Sequence, residues 1–154
     1  YNGYENVILY DLIAFAKHET GYNKVGLAGC NLGGYYAVNT ALRHPDLVSA
    51  LISMSGSFDI RPFIFGYYDD NCYFNNPPDY LVNLEEEWYL SRIKKIKILI
   101  GANENDNYLG ESIKLSDLLK AKEIDNLLDI SSAEGHTWSW WNGMFPDYLS
   151  KINV

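Results

Sequence analysis

A chain of 154 residues has room for one hydrophobic core, since single domains run to roughly 100–200 residues, and 47% hydrophobic with 21% charged residues excludes a disordered chain. A formal net charge of −8, with no basic cluster larger than Lys94, Lys95 and Lys97, argues against nucleic acid as a partner. Apolar runs such as Val25–Gly29 and Ile96–Ile100 are strand-sized, far short of the roughly 20 apolar residues of a membrane span, so a soluble, cytoplasmic chain without membrane contact is expected.

From Tyr4 to Glu19, the apolar residues Ile8, Leu12, Phe15 and Ala16 recur at three- and four-residue spacing, and Gly21 follows. This predicts an amphipathic helix and its stop. Val25–Gly29 reads as a strand, Gly33–Arg43 as a helix ended by Pro45, and Leu47–Met54 as a second buried strand. Ser55–Pro78 loses periodicity and fills with Tyr, Phe, Asn, Asp, Gly and Pro. A stretch of that length inside a domain reads as a lid or binding loop, and residues 55–80 are expected to form a packed, lid-like segment. Beyond it come a short helix (Glu85–Arg92), a third strand (Ile96–Ile100), a helix (Glu111–Lys122), a fourth strand (Leu127–Ile130) and a last helix (Trp138–Lys151). Strands alternating with helices imply parallel βαβ units, so the expectation is one α/β domain over residues 1–154 with a doubly wound, mostly parallel sheet.

Between the first strand and its helix stands Gly29-Cys30-Asn31-Leu32-Gly33-Gly34. This is the frame of the G-x-S-x-G nucleophile elbow, in which a central residue is held at positive φ while flanking glycines let strand and helix approach closely. Asn31 occupies the serine position. Asparagine is among the few non-glycine residues that tolerate positive φ, so the turn is expected to survive without its hydroxyl. A glycine-rich βα turn alone has a plain packing explanation. What strengthens the functional reading is Glu104 and Asp106 after the third strand and Glu134-Gly135-His136 after the fourth, since the chain order nucleophile, acid, histidine is one in which a triad can be built.

On these residues a family resemblance can be stated. The stretch Gly26 to Asp59, containing AGCNLGGYYAVNTALRHPDLVSALISMSGSFD, resembles the esterase group of the α/β-hydrolase superfamily, whose members read approximately AGCSMGGYHAVNFALRHPD followed by a strand and SG-x-F/Y-D. Tyr73-Phe-Asn-Asn-Pro77 and Pro78-Asp-Tyr-Leu81 resemble that group's YFNSP and DYLPN stretch, and His136-Thr-Trp-Ser-Trp-Trp141 its HDWPWW ending. The resemblance implies a carboxylic-ester hydrolase with His136 as general base, Asp106 as the orienting acid with Glu104 as the alternative, and the Leu32 N–H as one oxyanion donor. It implies a small-molecule ester as substrate or ligand and no cofactor. It also implies earlier strands and a second oxyanion donor that this sequence does not contain. Tyr1 opens the sequence without an initiator methionine, and a truncated or processed boundary is expected, with Val25–Gly29 left as an open edge that self-association or a partner chain could complete.

A carboxamide is not a nucleophile at accessible pH, so the chain is expected to be inactive or nearly so. The alternatives are a non-catalytic ligand-binding or interaction module, or a gene fragment without independent function. Cys30 and Cys72 show no metal or redox spacing, and both are expected as free thiols, Cys30 pointing away from the site. His18 and His44 are expected at helix C-termini, and Glu85–Glu87 as a solvated first turn. Two of Trp138, Trp140 and Trp141 are expected in the core. No His, Cys or carboxylate set has metal-ligand spacing.

Overall fold

The computed structural model describes residues 2–132 and 136–152. It opens with continuous helical backbone: α1 (Asn2–Asn6), a π-wound segment (Val7–Ile13) and α2 (Ala14–Thr20), closed by Gly21 at φ 72° with its N–H on the Lys17 carbonyl at 3.0 Å. The helix and its glycine stop agree with the sequence reading. The apolar face does not. Hydrogen bonds of π type run from i to i+5, so Ile8 and Ile13, five apart, are the buried pair, while Leu12 and Phe15 are 59% and 65% exposed.

The remaining elements are β1 (Val25–Cys30), α3 (Leu32–Arg43), β2 (Val48–Met54), a 3₁₀ turn (Arg61–Phe63), α4 (Asp70–Tyr73), α5 (Pro77–Asn83), α6 (Glu87–Ile93), β3 (Lys97–Asn103), α7 (Leu109–Ala121), β4 (Leu127–Ser131) and α8 (Trp138–Lys151). The four strands form one parallel sheet in the order β1-β2-β3-β4, with Ile52 opposite Ala28 and Leu99, and Ala102 opposite Ile130. Successive side chains of a strand point to opposite faces, and the core divides accordingly. Val48, Leu51, Ile98 and Ile100 pack with Val38 and Leu42 of α3, Ile93 of α6 and Leu115 and Leu119 of α7. Ala50, Ile52, Met54 and Leu99 pack with Trp140, Trp141 and Tyr148 of α8. Both faces are covered, as a parallel sheet requires. Each fully buried Leu or Ile contributes about 1.5–3 kcal/mol.

The expected long loop is more ordered than its composition implies. Pro77 and Pro78 stand at the first positions of α5, where a missing N–H and a preset φ favour helix. Buried amides pin this segment to α3: the Tyr35 hydroxyl donates to the Asn75 carbonyl (2.7 Å), Asn39 Nδ2 to Asn75 Oδ1 (2.9 Å) and the Tyr80 hydroxyl to Asn39 Oδ1 (3.0 Å). At its start the Glu111 carboxylate accepts the backbone N–H groups of Phe58 and Asp59. Burial pushes the Glu111 carboxyl up against those two hydrogen bonds. Glu111→Ala, which leaves two N–H groups without their acceptor, is expected to lower stability by about 1–3 kcal/mol, read from urea unfolding with an unchanged slope. A loss below the scatter of replicate midpoints would refute this anchoring.

Candidate active site

In a parallel sheet every strand ends at the same edge, and the candidate residues lie at the carboxyl ends of three strands. Asn31 follows β1 with φ 52° and ψ −122°. These are torsions that glycine adopts freely and other residues adopt at a cost of order 1–3 kcal/mol. The turn is held from both sides: the Asn31 N–H donates to the Met54 carbonyl of β2 (2.9 Å), and its carbonyl accepts the Tyr35 N–H of α3 (3.1 Å). The glycines explain how closely strand and helix meet, though not as the motif frame suggests. A Cβ on Gly29 would lie 2.2 Å from the Gly33 carbonyl oxygen, and one on Gly34 would lie 2.6 Å from Ser53 Oγ. A Cβ on Gly33 would meet nothing within 4 Å, although the Gly33 backbone is what Gly29 packs against. Gly29 and Gly34 are the packed pair.

After β3, the chain turns so that Asp106 is brought inward. Its side chain has 0% exposure, and its Oδ1 lies 3.3 Å from His136 Nδ1 while accepting the Tyr108 N–H at 2.8 Å. Glu104, the alternative acid, continues the β4 pairing through its N–H to the Ser131 carbonyl (2.9 Å) and is exposed. Of the two, only Asp106 meets the histidine. His136 stands just before Thr137, whose Oγ1 caps α8 by accepting the Trp140 N–H at 3.3 Å. Glu134 and Gly135 lie outside the described residues.

Of the groups around the imidazole, Tyr108 and Ser55 were not singled out by the sequence, and Trp141 only as one of three tryptophans. Trp141 meets the His136 ring edge-to-face at 4.9 Å between centroids, and Tyr108 lies at 5.6 Å. The Trp141 Nε1–H donates to Ser55 Oγ at 3.2 Å. Ser55, at φ 53°, directly follows β2 and donates its own N–H to the Gly101 carbonyl at 2.8 Å. The turn after β2 thus supports the indole that packs on the histidine. The signal available in the sequence was Ser55-Gly56 directly after a buried strand, a turn pair. Trp140 and Trp141 are each 6% exposed and Trp138 is 68% exposed, so two of the three are core residues, one of them touching His136.

The remaining candidates have structural places. Cys30 packs beneath α8 with the Ala50, Ile52 and Met54 cluster, and burial pushes its thiol up from the ordinary value. A thiol held protonated is a weak nucleophile, so Cys30 is expected to resist iodoacetamide near neutral pH until urea unfolds the chain; rapid labelling of the folded protein would contradict its packing. His18 is exposed beside Glu19. His44 does more than cap α3: its Nε2 and the Arg43 guanidinium share the buried Glu5 carboxylate at 2.9 and 3.0 Å. Glu85–Glu87 are exposed. Among the described residues no group of His, Cys, Asp and Glu is arranged to hold a metal ion, and no helix is long and apolar enough to cross a membrane.

Solved structures share this architecture, three of them as follows. A ferulic acid esterase superposes with a TM-score of 0.79 at 17% identity, over 97% of this chain and 59% of its own. An S-formylglutathione hydrolase from Staphylococcus aureus gives 0.64 at 16% identity, over 98% and 64%. The enterobactin esterase of Shigella flexneri gives 0.68 at 17% identity, over 94% and 36%. The chain therefore spans less than two thirds of each of these proteins. No curated protein matches it. Residues 3–152 match the family Esterase, described as "Putative esterase". With four parallel strands, helices on both faces and a family match over nearly its whole length, the chain belongs to this esterase family and has the α/β-hydrolase fold.

Proposed function

We propose that this chain carries the acid and base of an ester hydrolase and that Asn31, standing in the nucleophile's place, leaves it inactive or nearly so. The observation that carries the reading is the buried Asp106 carboxylate on His136 Nδ1. A carboxylate there holds the tautomer that leaves Nε2 as the base. In the reaction this arrangement suits, a hydroxyl at position 31 attacks the ester carbonyl and His136 takes its proton. The Leu32 N–H, left without an intrahelical acceptor at the start of α3, faces the developing oxyanion. His136 then protonates the leaving alcohol, and water releases the acid. Asn31 has no hydroxyl to begin this sequence. The ligand is a small-molecule ester, with residues 55–80 as the segment that shapes its entry.

The second reading, a binding module, is favoured by Asn31 itself, because asparagine keeps the strained turn while removing the nucleophile. The two readings separate experimentally. Asn31→Ser is expected to become labelled by a fluorophosphonate probe and to lose that labelling with His136→Ala, whereas a pure binding module would retain saturable ester affinity in His136→Ala and gain no labelling from serine. The outer edge of β1 has no strand paired to it among the described residues, and we assign that edge to a completing strand from another part of the protein, a partner chain or a second copy.

A further inference from the structure

The torsions of Asn31 bear on the chemistry of its own side chain. In an L-residue, Cβ sits a third of a turn from the backbone nitrogen about the Cα–C bond, in the sense that brings Cβ and the following nitrogen into eclipse at ψ of about −120°. Asn31 has ψ −122°. Cγ, Cβ, Cα, the carbonyl carbon and the Leu32 nitrogen can then be made coplanar by side-chain rotation alone, which is the geometry of a five-membered cyclic imide. Neither helix, with ψ near about −42°, nor strand, near about +135°, offers this alignment.

Three further observations concern the reacting groups. The Asn31 carboxamide makes no capping hydrogen bond to α3. Leu32 is the first residue of that helix, so its N–H lacks an intrahelical acceptor. Asn31 is half-buried and Leu32 is 54% exposed, which gives water access to an imide formed there. The strained turn is also held in place by the bonds to Met54 and Tyr35.

We propose that Asn31 is a self-modifying position. The Leu32 nitrogen attacks Asn31 Cγ, the new C–N bond forms as the carboxamide C–N bond breaks, and the side-chain nitrogen departs as ammonia with the proton that the Leu32 nitrogen gives up. Water then opens the imide. Opening at Cγ gives aspartate on an ordinary backbone; opening at the backbone carbonyl gives isoaspartate, with the chain rerouted through the side chain. Either product puts a carboxylate at the elbow, and no oxidant, reductant or second substrate is required.

The sequence supplies its own control. Asn142-Gly143 is the unhindered pair that should react readily in a flexible chain, but it lies within α8, where helical ψ holds the two groups apart. Asn31 is followed by a bulky leucine, which should make it slow once the turn is lost. The test is incubation of the unsubstituted chain at mildly alkaline pH in ¹⁸O-water, in native buffer and in urea, with peptide mass spectrometry at both positions. In native buffer Asn31 is expected to convert about tenfold or more ahead of Asn142, the advantage of a preset near-attack geometry, with label in the new carboxylate and some peptide caught as the imide, lighter by one ammonia. In urea the order is expected to reverse. The same order in both conditions, or a native chain in which Asn142 converts first, overturns the proposal.

Discussion

Asn31→Ser is expected to raise p-nitrophenyl ester hydrolysis by at least about 10³-fold. The scale follows from what nucleophile loss does elsewhere: an oxyanion hole and binding alone leave roughly 10³–10⁴-fold catalysis over water, and removing the serine of a triad can cost about 10⁶ in kcat. Here the buried Asp106 and the His136 ring stand together at 3.3 Å, and Trp141 and Tyr108 pack on the imidazole, so the ring is already oriented. The rate should be measured in the chain as it stands and in a fusion supplying strands that pair with the outer edge of β1. His136→Ala added to the serine variant is expected to return the rate to that of the parent. A folded serine variant with no gain in either setting would reject the catalytic reading.

Gly29→Ala is expected to be the most damaging single substitution in the elbow. The added methyl would stand 2.2 and 2.3 Å from the Gly33 carbonyl oxygen and carbon, and 2.8 Å from the Gly34 nitrogen. All are backbone atoms with no rotamer to yield, so β1 and α3 must separate. Overpacking of well-packed positions costs about 1–3 kcal/mol, occasionally more; with backbone on the receiving side a loss of about 3 kcal/mol or greater is expected. Gly33→Ala, within the same motif, meets nothing within 4 Å. It replaces glycine in a helix, a change worth about 0.5–1 kcal/mol in favour of alanine. Urea unfolding of the two variants side by side checks the contrast, and equal losses would show that the close approach at Gly29 is not what maintains the turn.

The sheet was legible because aliphatic runs of strand length alternate with helical spacing. Each of the four strands was anticipated within a few residues, and α8 over Trp138–Lys151 with the same ends. What escaped had local causes. Periodicity at three and four residues cannot reveal a π-wound turn, so Leu12 was expected inside and Ile13 lies there instead. Pro77-Pro78 was read as loop punctuation although two prolines can open a helix, as they do in α5. At the site, the order of Asn31, the acids and His136 was readable along the chain, and the resemblance favoured Asp106, but spacing alone did not separate it from Glu104. Glu104 and Asp106 are two residues apart in one turn, and only the fold shows that one is drawn inward to the imidazole while the other remains outside. Two of the three tryptophans were expected as packing without saying which, and the contact of Trp141 with the imidazole is backed by Ser55, eighty-six positions away in sequence.

The six residues of β1 present one side of their peptide groups with no neighbouring strand among those described, and this makes thermodynamic stability a property of occupancy as well as of sequence. Any extended segment that adds there, binding the native state alone, raises the unfolding free energy by RT ln(1 + [L]/Kd). The melting temperature would then climb with the concentration of whatever fills that margin, and a value measured in dilute solution would describe the sheet at its least complete.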